Sequence, residues 1–436
     1  MVDHTKSSNV RVGWLGRVYG VLLITIFGGI VIHAPLSVGL GTLLPDYGWL
    51  IKSWKEILMA VAAILAVILL VRLGKLNILR EPLLIIIGAY IVLHLLLLPF
   101  FWQGLEASMA GLLIDLRFVV YFALVYVFLR LYPMQRKNFL LVFMVGGIVV
   151  VTFALLQVFV LPPDVLKYLG YGQDTIMPYL TVDQNSDYIR INSTLRGPNP
   201  LGAYAVIILS FITAALVMKK LPPFRKSRIM AAILVIGGAV ALWASYSRSA
   251  WIAAVMALSI VVVVSLSGKL SRRAWIISSV VTVALTGIIA ASWSTPFVSQ
   301  VILHEDPTRA NMVSSNDGHA QSLKDGVAAA ISQPLGAGVG STGSASLYGN
   351  NPVTIENQYV FIAHESGWLG LGIFIVIFGS VMIRLWRSRV SYVALGVFAS
   401  GIGLAAIGLL LPVWVDDTVA IIWWGLAAVA LSGEKK

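Results

Sequence analysis

Apolar residues occur along this chain in runs of about twenty, separated by short polar stretches. A hydrocarbon layer about 30 Å thick takes roughly 20 apolar residues of helix to cross. That window predicts spans near 18–40, 56–73, 82–102, 109–131, 139–161 and 199–218. A second set follows near 229–246, 250–267, 274–292, 357–383, 391–411 and 416–432. The last of these is the least regular, because Asp416 and Asp417 stand at its start. The first apolar run is longer than the core of a signal peptide and many spans follow it, so it reads as an uncleaved first helix.

Composition turns this pattern into a fold class. Hydrophobic residues make up 58% of the 436 and charged residues only 11%, against about a quarter charged in a soluble domain. No single water-soluble core absorbs that much apolar side chain, so lipid is the solvent for most of it. The expectation is an all-α polytopic membrane protein of about 12 helices, residues 1–436 forming one integral membrane domain. The net charge of +12 does not indicate nucleic acid, since nucleic-acid readers gather Lys and Arg on one folded face. There are no cysteines, which excludes disulfides, thiolate nucleophiles and thiolate metal sites.

The basic residues instead fall between apolar runs, as topology signals do. With the N-terminus placed in the cytoplasm and the spans alternating, each of seven inner segments holds at least two Lys or Arg, for example Lys6, Arg11 and Arg17, or Arg384, Arg387 and Arg389. A missed or invented helix would invert the pattern downstream, so both termini are expected inside. Two segments on the opposite side are long, 162–198 and 293–355. Long connections between well-formed elements are usually functional or disordered. The second contains the Gly-rich Gly336-Ala337-Gly338-Val339-Gly340 and apolar residues at helical spacing, Leu323, Val327 and Ile331. Short helices at the membrane surface are expected on these two loops.

The informative cations are those the topology rule does not explain: Lys52, Lys55, Arg117, Lys167, Arg190, Arg196, Arg248, Arg309 and Lys324. Arg117 falls inside the fourth span, where a charge costs at least about 2.5 kcal/mol unless it meets a partner, a cavity or the interface. Pairing with an acid on another helix is one reading of it. Arg248 sits in the tight connection Ser247-Arg248-Ser249, and Arg190 and Arg196 frame the end of the first long loop. Helices that bundle would let these three converge, and the guanidinium fork suits phosphate oxygens. The competing reading is an arginine near a helix end that snorkels to lipid headgroups. Glu356 at the head of the tenth span and His319 in Asp317-Gly318-His319 are the candidate general bases. His33, His94, His304 and His364 take a structural reading. No His/Asp/Glu group has metal-ligand spacing, so no bound metal and no cofactor are expected, and no Walker-type loop points to nucleotide hydrolysis.

Four segments, in order across 190–370, resemble the motifs of the O-antigen ligase/O-antigen polymerase superfamily. Arg190 followed by Gly197-Pro198-Asn199-Pro200-Leu201-Gly202 is similar to its R…G…PN-x-L-G motif, and Ser247-Arg248-Ser249-Ala250 to its SRSA stretch. Pro334-Leu335-Gly336-Ala337-Gly338-Val339-Gly340 resembles PLG-x-GxG. Glu356-Asn357-Gln358-Tyr359 with Glu365-Ser366-Gly367-Trp368-Leu369-Gly370 resembles the [H/E]N-x-Y…E-x-G-x-x-G signature.

The resemblance implies a metal-independent glycosyltransferase of the bacterial cytoplasmic membrane, its active site on the extracytoplasmic side. Its donor would be a glycan on a polyprenyl diphosphate and its acceptor a saccharide or lipid-saccharide hydroxyl. Arg190, Arg196, Arg248 and Arg117 would bind the diphosphate, and Asn199, Asn357 and Tyr359 would contact substrate. Ligases of this family commonly carry His where this chain has Glu356, which leaves Glu356 and His319 as rival bases and leans toward polymerase-like members. The alternative is a transporter or flippase of lipid-linked saccharides, though no internal repeat of the transporter kind is visible.

Overall fold

The computed structural model describes residues 12–220, 225–266, 315–349 and 352–433. Eight helical stretches in it are long and apolar enough to cross a membrane: 14–43, 54–72, 105–131, 133–159, 198–217, 227–244, 248–266 and 358–387. Three shorter apolar helices, 82–97, 392–407 and 417–431, stand where three further spans are expected. The span near 274–292 and the first part of the 293–355 loop lie outside the described residues. The protein is thus an all-α polytopic membrane protein, as the hydropathy blocks imply.

In chain order the helices are α1 (Trp14–Gly29), α2 (His33–Leu43), α3 (Gly48–Lys52), α4 (Trp54–Arg72), α5 (Pro82–Leu97), α6 (Leu105–Leu131), α7 (Arg136–Phe159), α8 (Pro198–Val217), α9 (Arg225–Ala244), α10 (Arg248–Leu266), α11 (Ser315–Ser332), α12 (Gly343–Ser346), α13 (Gln358–Arg387), α14 (Tyr392–Ile407) and α15 (Asp417–Leu431). Helices on the rim turn large apolar side chains outward, such as Ile64 of α4 and Val255 of α10. These face lipid, which is as apolar as they are, so their exposure carries no penalty.

The least regular span in sequence, α15, is the most enclosed helix. It packs against α6, α14, α8, α13 and α7, and every residue from Thr418 to Leu431 is buried. At about 1.5 Å per residue its 15 residues reach only about 22 Å, too short to span alone but sufficient inside a jacket of longer helices. The two acids that blur its start in sequence are what begins it. The Asp416 carboxylate accepts from the Val419 N–H at 2.9 Å as N-cap, and Asp417 adds a negative charge to the first turn, the favourable end of the helix dipole. Around it Trp414, Trp423 and Trp424 interlock with Phe378 at centroid separations of 5.1–6.2 Å.

Small residues allow the close contacts that association in lipid depends on. A Cβ on Gly396 of α14 would stand 2.8 Å from the Phe211 Cα of α8, so the two backbones touch.

The first long loop departs from the expected short helices. After one 3-10 turn, Val165–Leu169, it forms an antiparallel hairpin of β1 (Leu180–Val182) and β2 (Asn185–Arg190). Leu180 pairs with Arg190 and Thr181 with Ile189. Asp183 and Gln184 make the turn with φ of 46° and 61°, the left-handed backbone that two-residue hairpin turns need and that Asp adopts more readily than most side chains. The second loop does carry helices, α11 and the four-residue α12.

Candidate functional site

Immediately after β2 the chain plunges into the bundle. Asn192, Ser193 and Leu195 are almost fully buried, and buried backbone has to find partners. Ile191 N–H donates to the Ala244 carbonyl at 3.1 Å. Ser193 N–H donates to Gln157 Oε1 at 2.7 Å and its hydroxyl to the Val150 carbonyl at 2.7 Å. This plug, Ile191 to Leu195, fixes Arg190 at one end and Arg196 at the other. Ser193 takes φ 50° to make the turn.

Arg190 emerges from the plug against the connection between α9 and α10. Its Nε donates to the Ser245 carbonyl at 2.9 Å, and one terminal nitrogen to Asn199 Oδ1 at 2.6 Å. Arg248, at the start of α10, lies close enough to act on its charge. Burial and then the neighbouring Arg248 push the Arg190 guanidinium down to about 10, with Asp183 opposing. Two cations gathered in a partly desolvated place stabilise an anion and are stabilised by one. The two motifs meet because Gly202, one turn into α8, has no side chain: a Cβ there would stand 2.7 Å from the Ala250 Cβ and 2.9 Å from the Ser245 hydroxyl.

Beside Asn199 opens a cavity of about 200 Å³, its walls built from Pro200, Ala203, Ile407, Leu411 and Val413. Asn199 and Asp416 are its polar side chains. Arg196 and Arg117 both act on the Asp416 charge from outside it. Asp416 is a residue that sequence reasoning missed as a site: two acids opening an apolar run read as a boundary defect, and nothing local reveals that one of them faces a cavity.

Arg117 takes the paired reading. It donates to the Val415 carbonyl and lies 3.8 Å from Glu56 and 3.9 Å from Asp417. Lys55 reaches the same Asp417 oxygen at 3.1 Å. The Trp54 indole N–H, which can only donate, reaches His33 Nδ1 at 2.9 Å. His33 Nε2 faces both Asp417 and Lys55 Nζ, each at 3.2 Å. This network ties α2, α4, α6 and α15 together and occupies Arg117 inside the bundle.

The head of α13 braces the 405–414 segment, which supplies Ile407, Leu411 and Val413 to the cavity wall. Asn357 Oδ1 caps the helix, accepting from Tyr359 and Val360 N–H at 2.9 and 3.0 Å, while its Nδ2 donates to the Leu409 carbonyl at 2.7 Å. Gln358 Oε1 accepts from Trp414 N–H at 2.7 Å, and the Tyr359 hydroxyl donates to the Ala405 carbonyl at 3.0 Å. Asn357 and Tyr359 thus hold the 405–414 turn in place, with their polar atoms engaged by protein. Glu356, one residue earlier, is half-buried. His319 falls in the first turns of α11, and its side chain lies outside the described residues.

The glycine-rich segment is a wedge between α6 and a kink in α13. Gly367 takes φ 69° inside the helix, so Trp368 N–H turns to the Pro334 carbonyl at 3.0 Å and the freed His364 carbonyl accepts from Ala337 N–H at 2.6 Å. Kinks of this sort persist where another group re-satisfies the broken ladder. Glu365 completes the joint, accepting from Gly340 and Thr342 N–H at 3.0 and 3.1 Å and hydrogen-bonding the Asp115 carboxyl of α6. Among the described residues no three His, Asp or Glu side chains form a group that could hold a metal ion. Compared with known proteins, the sequence matches no family model and no curated protein.

Proposed function

We propose that the protein is a glycosyltransferase of the O-antigen ligase/polymerase kind, moving glycan from a polyprenyl-diphosphate donor to an acceptor hydroxyl on the extracytoplasmic side of a bacterial cytoplasmic membrane. The observation that carries this reading is the meeting of Arg190 and Arg248, from two distant segments, with Arg190 bonded to Asn199 at the edge of a cavity that contains one carboxylate. The acceptor oxygen attacks the anomeric carbon, the carbon–oxygen bond to the diphosphate breaks, and the lipid diphosphate leaves with the bonding electrons. The arginine pair meets the charge that gathers on the leaving group, where preset donors act most strongly. The acceptor proton passes to a carboxylate. Asp416 is favoured over Glu356 and His319 because it lines the cavity.

The decisive experiment is reconstitution with a labelled lipid-diphosphate glycan. Chain-extended donor supports a polymerase and a new conjugate supports a ligase. Transfer is expected to survive EDTA; no bond formation under any acceptor condition overturns the enzyme reading. One observation favours the flippase alternative: intramembrane ionisable groups such as the Lys55–Asp417 pair at 3.1 Å often line transport pathways. Movement of intact lipid-linked glycan across liposomes without bond formation is the result that selects it.

A further inference from the structure

Two arginines and two tyrosines come to this site as matched pairs. On β2, Tyr188 and Arg190 are two residues apart and so share a face of the strand. In the connection between α9 and α10, Tyr246 and Arg248 have the same spacing. As the guanidinium ends gather, so do the rings: Tyr188 and Tyr246 have centroids 6.1 Å apart, inclined at 64°. Tyr246 is held from behind by Trp251 and Trp243, at 6.2 and 6.1 Å. Those two indoles stack on each other at 5.6 Å, and the Trp251 N–H is anchored on the Leu242 carbonyl at 2.9 Å. Tyr246 has φ 46°, a left-handed backbone that a bulky aromatic residue rarely adopts. Strain of this kind is kept where the surroundings impose it, and it collects at ligand sites.

Resting on the functional reading above, we infer that Tyr188 and Tyr246 form the shelf that takes the first sugar ring of the donor, the one bonded directly to the diphosphate. A pyranose offers a face of polarised C–H groups, and an aromatic ring offers a negative face to receive them. A two-residue step along a strand is about 7 Å, comparable to the reach from the middle of a diphosphate to the ring attached to it. The arginines thus read the charge and the tyrosines the saccharide next to it. Interface aromatics also settle among lipid headgroups, and half-exposed Trp243 suits that role. Tyr188, by contrast, sits on the hairpin beside Arg190 and not on a lipid-facing helix.

The test measures equilibrium binding to the full chain in nanodiscs with two probes, farnesyl diphosphate and the same lipid diphosphate bearing one N-acetylhexosamine. Tyr188→Ala and Tyr246→Asn are expected each to weaken the glycosylated probe roughly fivefold to tenfold, the scale of one aromatic contact, and to leave the bare diphosphate unchanged. Asn is chosen at 246 because it tolerates the left-handed backbone. Tyr188→Phe keeps the ring and should bind like the wild type, whereas Arg190→Ala should weaken both probes. Equal losses on both probes, or none on either, overturn the shelf while the diphosphate reading stands. Failure of the wild type to bind either probe overturns that reading and the shelf with it.

Discussion

Arg190 is held by two neutral acceptors, the Ser245 carbonyl and Asn199 Oδ1, so its orientation is set before any anion arrives. Preset geometry is what makes a charged donor effective on a leaving group. Arg190→Ala is therefore expected to cut glycan transfer at least about 100-fold while the purified protein keeps its unfolding temperature. Arg190→Lys should recover little, because an ammonium cannot hold both Asn199 and a phosphate in the same fork. Unimpaired transfer by either variant would remove the clamp from the mechanism. Asp416 permits a cleaner separation. Asn caps a helix about as well as Asp, so Asp416→Asn preserves the start of α15 and removes only the charge. Turnover should fall about 100-fold or more if this carboxylate takes the proton, with Glu356→Gln and His319→Ala much milder. The opposite ranking, measured in one transfer assay, returns the role to the head of α13 or to α11.

At the scale of elements, the glycine-rich wedge and the kinked α13 are one joint. Gly340 has φ 85° and a Cβ there would stand 2.2 Å from the Ala107 carbonyl oxygen, so Gly340→Ala meets both backbone strain and a collision with α6. A loss of at least about 2 kcal/mol is expected, read as a lowered unfolding temperature in detergent. Glu365→Ala strands two buried N–H donors and should cost roughly 2–5 kcal/mol. Glu365→Gln retains an acceptor oxygen and offers Asp115 a donor, so it should lie nearer the wild type. Wild-type melting of all three variants would mean that the wedge carries no structural load. This joint also marks where sequence reading stops. Hydropathy revealed the helices because lipid demands long apolar runs. The unexplained cations pointed to Arg190 and Arg248 because charge near a membrane needs a reason. The exchange of partners between Trp368, Pro334, His364 and Ala337 leaves only glycines, Gly336 and Gly367, as its trace in residue type, since backbone groups make it. The hairpin was hidden for a similar reason: Asn185 to Arg190 has no alternation of apolar and polar residues, and its strand character comes from pairing and from the turn at Asp183.

For the whole molecule, the side of the membrane decides whether this site can meet a lipid-linked glycan that has already been exported. On the proposed orientation, taken from the basic residues between spans, the hairpin and the Arg190 site face away from the cytoplasm, and a chain without cysteine is ready for a direct test. Single cysteines can be introduced at exposed positions that do not touch the core: Ser186 on the hairpin, and Lys219 and Lys220 after α8. With a membrane-impermeant maleimide on intact spheroplasts, Ser186→Cys is expected to label at once. Lys219→Cys and Lys220→Cys should label only after the membrane is opened. A reversed pattern would put the arginine pair in the cytoplasm and overturn the extracytoplasmic transferase, whatever the site binds in detergent. Labelling at Ser186 that is slowed by the glycosylated probe but not by farnesyl diphosphate would join the two scales, because Ser186 lies two residues from Tyr188 on the strand that presents it.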